Sequence, residues 1–225
     1  MHANPHRDDP HPSLVLESGT LDAAVREAKV DRLLFDVDEG DRAALVRAVK
    51  VARKATPEVM RRVLAAFDAV PKLTACELYY RGLLLFRLGD GVAAAISHTR
   101  AAEAGNADAM FELSVLYARG LGVRANADLS EAWLQRAAAA NHPRALYNVG
   151  AAYASGAKGQ PDYERAASYY ERATYLGNGR AAATLAAMIS AGEIPGTADE
   201  ASAWLTMAED LGFFPEARRS REHAS

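Results

Sequence analysis

The chain is 225 residues long, half of them hydrophobic, with a formal net charge of −3 and a single cysteine, Cys76. That is too apolar for a disordered chain and enough for one sizeable core or an elongated stack. The slight acidic balance argues against nucleic acid or an anionic membrane as an obligatory partner, and one cysteine excludes an internal disulfide framework, so a cytoplasmic location is expected.

Residues 1–20 read as a disordered tail, with three prolines, mixed charge and no apolar period. No signal-peptide core follows the start, and no segment is long and apolar enough to cross a bilayer. His2, His6 and His11 could chelate a metal weakly; a polar tail is the simpler reading, and neither a metal site nor a cofactor is expected. Residues 21–74 read as an N-terminal helical cap region. Leu21, Val25, Ala28 and Leu33 lie near one face of a first helix, and Gly40-Asp41 ends it and starts the next. Ala44, Leu45, Ala48, Val49 and Ala52 mark that second helix. Thr56-Pro57-Glu58 opens a third through Val59, Met60, Val63, Leu64 and Phe67, with threonine as N-cap and proline at the first helical position. The basic run from Arg42 to Arg62 could dock an acidic segment or RNA. A solvated face is the better reading, because no aromatics interleave for stacking.

From about residue 75 onward the chain repeats. Ala109, Leu113, Leu116, Tyr117 and Gly120 return 36 residues later as Ala145, Val149, Ala152, Tyr153 and Gly156, and again as Ala181, Leu185, Met188, Ile189 and Gly192. Trp133, Tyr169 and Trp204 correspond in the second half of each unit, as do Ala137, Ala173 and Ala208. Each unit reads as two helices: a first that stops at the glycine, and a second that opens with capping-box spacing at Asp128/Glu131 or Thr197/Glu200. Second helices stop at Gly105, Asn141, Gly177 and Gly212. The next first helices start at Asn106, His142 (a cap substitute) or Asn178. A hairpin cannot bury its own apolar stripe, so neighbouring units stack.

The first-helix pattern Ala-x3-Leu-x2-Leu-Tyr-x2-Gly, followed by Trp133-Leu134 and Ala137 in the second, resembles the Sel1-like repeat, a relative of the tetratricopeptide repeat. Units at about 107–142, 143–178 and 179–213 carry it. A unit at about 75–106 looks more like a tetratricopeptide unit, through Gly82, Leu85, Gly89-Asp90, Ala94 and Ala101, and residues 214–225 form a C-terminal tail. The resemblance implies an all-α, right-handed α/α solenoid and an adaptor that binds a protein or peptide partner.

In tetratricopeptide-like hairpins the first helix lines the concave groove. Tyr79, Phe111 and Tyr147 take one structural position there, with Ala183 in the last unit. Leu83, Val115, Ala151 and Ala187 follow one turn on. Arg144 and Arg180 stand at helix starts, Arg87 and Arg119 at helix ends. The aromatics could be inter-repeat core or an apolar groove with arginine rims. The expected function is a non-enzymatic scaffold, since no catalytic set, phosphate loop or zinc spacing appears. A self-assembling module, through the N-terminal helices or Phe213-Phe214, and a cell-wall hydrolase are the alternatives.

Overall fold

A computed structural model describes residues 18–157 and 159–214. The 1–20 tail, with His2, His6 and His11, lies almost wholly outside the described residues, as does the 214–225 tail with His223. Eleven α-helices and no strand occur among the described residues, in two compact units that divide after Pro71.

The first unit holds α1 (Ser18–Asp38), α2 (Arg42–Ala52) and α3 (Pro57–Asp68). The Asp41 carboxylate caps α2 by accepting the Ala43 N–H, and the Thr56 hydroxyl caps α3 by accepting from Val59. Val30 and Leu33 of α1 are buried with Leu45, Val49, Val63 and Phe67. Leu21 and Val25, expected on the Leu33 side, are instead 53% and 59% exposed. The reason is geometric: α1 carries two apolar stripes on roughly opposite sides, and α2 and α3 cover only one. Two cations of the basic run are paired, Arg47 with Asp41 and Arg62 with Glu27 and Asp31.

The second unit contains α4 (Ala75–Arg87), α5 (Gly91–Glu103), α6 (Ala107–Arg119), α7 (Ala127–Ala139), α8 (Pro143–Ala154), α9 (Tyr163–Tyr175), α10 (Gly179–Ala191) and α11 (Ala198–Asp210). Each packs chiefly on the helices next to it in the chain, which makes an α/α solenoid. Ala101, Ala109, Ala137, Ala145, Ala173, Ala181 and Ala208 are fully buried at register-equivalent places. A methyl group at these crossings lets backbones approach closely, and anything larger would strain a packed interior.

The three turns between hairpins and the turn that follows α11 share one hydrogen-bond pattern. The N–H groups of Asn106, His142, Asn178 and Phe213 reach back to the carbonyls of Ala101, Ala137, Ala173 and Ala208 at 2.8–3.0 Å. This is a Schellman closure, and it places Gly105, Asn141, Gly177 and Gly212 at positive φ. The residue that closes one helix then caps the next, through the side chains of Asn106, His142 and Asn178. Thr197 and Glu200 form a reciprocal capping box, as do Thr74 and Glu77. Asp128 is not the cap of α7. Asn126 is, because its N–H is tied to the Tyr117 carbonyl at 2.9 Å and its side chain then faces the Leu129 N–H. Asp162 repeats this before α9, tied to the Tyr153 carbonyl.

Candidate partner-binding groove

The first helices set side chains in register, and the arginines at their starts reach back to the preceding hairpin. The guanidinium of Arg144, at the start of α8, lies 4.5 Å from the ring centroid of Phe111 on α6. Arg180, at the start of α10, lies 5.2 Å from the ring of Tyr147 on α8. Both arginines are exposed, so each keeps donors open to solvent while its guanidinium carbon lies over an aromatic ring.

The three aromatics differ in what they offer. Phe111 is only 3% exposed: His142 stacks on one side of it at 4.6 Å and Arg144 covers it. It therefore supports its neighbours and offers no open ring face. Tyr147 is half-buried, tilted against Tyr170 at 5.3 Å, and Tyr79 is half-buried beside His98 at 5.7 Å. Leu83, Val115, Ala151 and Ala183 are half-buried, and Ala187, Arg87 and Arg119 are exposed.

Two pairings below this surface escaped the sequence reading. Gly82 leaves room for His98, and Gly150 leaves room for Tyr170; a Cβ at either glycine would fall within 3 Å of the facing ring. His98 is buried, its Nδ1 has no hydrogen-bond partner among the described residues, and burial pushes its pKa down to about 4. Burial, with the neighbouring Tyr147, pushes the Tyr170 phenol up to about 12. The available signal was that Gly82, Ser114, Gly150 and Ala186, all small, occupy one register position.

His142 joins both repeats at this surface. Its Nδ1 accepts the Ala145 N–H at 3.2 Å, which leaves Nε2 as the protonated nitrogen, 3.3 Å from Asp108 Oδ1. That hydrogen bond holds the Asp108 carboxyl below its ordinary pKa. Among the described residues no group of His, Cys, Asp and Glu could hold a metal ion, and no helix is long and apolar enough to cross a membrane.

Hairpin stacking, shared turns and recurring ring-and-arginine pairs define a helical-repeat solenoid. Residues 107–142 and 143–178 match the family model of the Sel1 repeat, so α6–α7 and α8–α9 are Sel1 repeats. A Sel1 repeat protein from Oxalobacter formigenes has a similar crystal structure, with 26% identity and a TM-score of 0.55, over 82% of this chain and 60% of that one. A protective antigen present in uropathogenic Escherichia coli strains, displaying an SLR fold, is similar at 20% identity and a TM-score of 0.51, over 86% of this chain and 47% of that one. BtubC from P. vanneervenii shares 16% identity with a TM-score of 0.50, over 87% and 93% of the two chains. This chain thus spans less than two thirds of the first two structures, and the latter two likenesses concern the fold alone. No curated protein matches the chain.

Proposed function

We propose that this protein is a non-enzymatic interaction scaffold whose first helices hold an extended or helical peptide of a protein partner. The observation that supports it most is the repeated pair Arg144 on Phe111 and Arg180 on Tyr147, each spanning adjacent hairpins. Both guanidinium groups are oriented by a ring and solvated on their other side, which suits paired hydrogen bonds to carboxylates. Half-buried Tyr147, with the small Ala151 one turn on and the small Ala183 at the equivalent place of the next hairpin, supplies apolar contact area and room. The expected ligand is apolar with an acidic flank. The lone exposed thiol of Cys76 suits a reducing, cytoplasmic compartment.

The test is capture of partners from the native cell by wild-type chain and by Arg180→Glu, with hydrogen-exchange footprinting of the complex. The reading requires that Arg180→Glu loses the partner and that protection falls on α8 and α10. A partner retained by Arg180→Glu, with protection on second helices alone, overturns it. Self-association is a second reading, favoured by exposed Leu21, Val25 and Phe35 on α1. Light scattering of wild type and Val25→Glu decides it.

A further inference from the structure

The second helices of the solenoid are register-equivalent 13-residue segments, yet α5 departs from the others. Its second position is Val92, where α7, α9 and α11 have Asp128, Glu164 and Asp199. Its sixth is Ile96, where they have Ala132, Ser168 and Ala203. In the preceding first helix the twelfth position is Phe86, against Ala118, Ala154 and Ser190. These three large apolar side chains are 60%, 57% and 43% exposed, so the hairpin's own core does not account for them.

The segment between α6 and α7 gives this departure a shape. It folds back over the start of α5 so tightly that a Cβ on Gly122 would meet the Gly91 carbonyl carbon at 2.1 Å. Three cavities run along the seam. One of about 410 Å³ lies between Phe86, Val92 and Leu121. The next, about 320 Å³, shares Val92 and continues past Ile96 to Val123. The third, about 480 Å³, shares Val123 and ends at Leu129. Adjacent cavities share lining residues, so the three lie side by side, and we treat them together as one trench.

The polar groups of the trench identify the ligand. The Asp90 carboxylate is engaged in capping α5 at Ala93, Asn126 caps α7, and the Thr99 hydroxyl donates to the Ala95 carbonyl. The Tyr117 hydroxyl, Arg100 and Arg124 remain, and the two arginines are both exposed and without an ion pair among the described residues. We propose that this trench is a second docking surface, distinct from the first-helix groove, and that it takes an acidic peptide segment bearing bulky apolar side chains. The apolar side chains fill the space between Val92, Ile96 and Leu121, and the carboxylates meet Arg100 and Arg124, whose positive charge favours acidic over basic ligands.

A display library of random peptides about twelve residues long, selected against the full chain, tests this. Enriched peptides should combine large apolar residues with Asp or Glu. Their affinity should fall about tenfold or more on Ile96→Glu, and also on Arg100→Glu. Replacing their carboxylates by lysine should restore binding to the Arg100→Glu chain, and Tyr147→Ala should leave it unchanged. Circular dichroism confirms that each variant folds; were Ile96→Glu to unfold, Val92→Asp takes its place. The proposal is overturned by an absence of enriched peptides, by neutral or basic ones, by binding that survives Ile96→Glu and Arg100→Glu, or by a dimer that those substitutions dissociate.

Discussion

A Cβ built on Gly82 would fall 2.6 Å from Cε1 of His98, so α4 and α5 cross where only a glycine leaves room for the imidazole. The contact fixes a histidine in the interior, with Nδ1 unpartnered among the described residues and its neutral form favoured. Packing and protonation are therefore linked at this crossing.

The linkage has a definite sign. Folded His98 has a pKa of about 4, below its ordinary value of 6.5. Between those values the unfolded chain binds a proton that the folded chain refuses, so stability falls as pH drops from 6.5 to 4 and His98 adds no further loss below that. The loss is on the order of 3 kcal/mol. Denaturant midpoints across this window should flatten in His98→Asn relative to wild type; an equally steep wild-type and variant profile would mean that other groups carry the dependence.

Gly150 plays the same part for Tyr170, whose Cε1 would stand 2.9 Å from an added Cβ. Gly150→Ala should destabilise by about 1–3 kcal/mol despite the better helix propensity of alanine, because the ring is held between α8 and α9. Pairing it with Tyr170→Phe should leave the cost in place. Relief by Tyr170→Leu is the expected rescue, read from urea midpoints.

At Gly156 the backbone has φ +69°, and a Cβ would approach the Gly159 carbonyl oxygen at 2.8 Å. Gly156→Val should cost on the order of 2 kcal/mol or more, since a β-branched residue resists positive φ and has no space there. Chemical denaturation measures it.

Tyr153 is half-buried rather than fully buried, stacked on Tyr169 at 5.6 Å. Tyr153→Ala should therefore cost about 1–3 kcal/mol, less than the truncation of a fully buried aromatic. Its double-mutant cycle with Tyr169→Ala should show a coupling of about 1 kcal/mol.

The turns were the most legible part of the sequence. A Schellman closure needs a residue tolerant of positive φ and then a capping side chain, and Gly105-Asn106, Asn141-His142 and Gly177-Asn178 spell both at the right interval. The groove was less legible, because exposure depends on what a neighbouring turn supplies. Phe111 and Tyr147 occupy one register position, but His142 stacks over the first, while its counterpart Asn178 turns its amide to the Pro143 carbonyl. No periodicity in either helix encodes that difference. The outward stripe of α1 escaped for a related reason: an apolar pattern states that a face is greasy, not which neighbour covers it.

Each solenoid helix packs chiefly on its sequence neighbours, and successive hairpins are joined by the same closure at Ala101, Ala137 and Ala173. Length is consequently a free variable of this architecture. A 36-residue block could be duplicated or removed between equivalent turns with the joins intact, so reach can change by gene-segment copying while each block's exposed side chains diverge to suit a different contact.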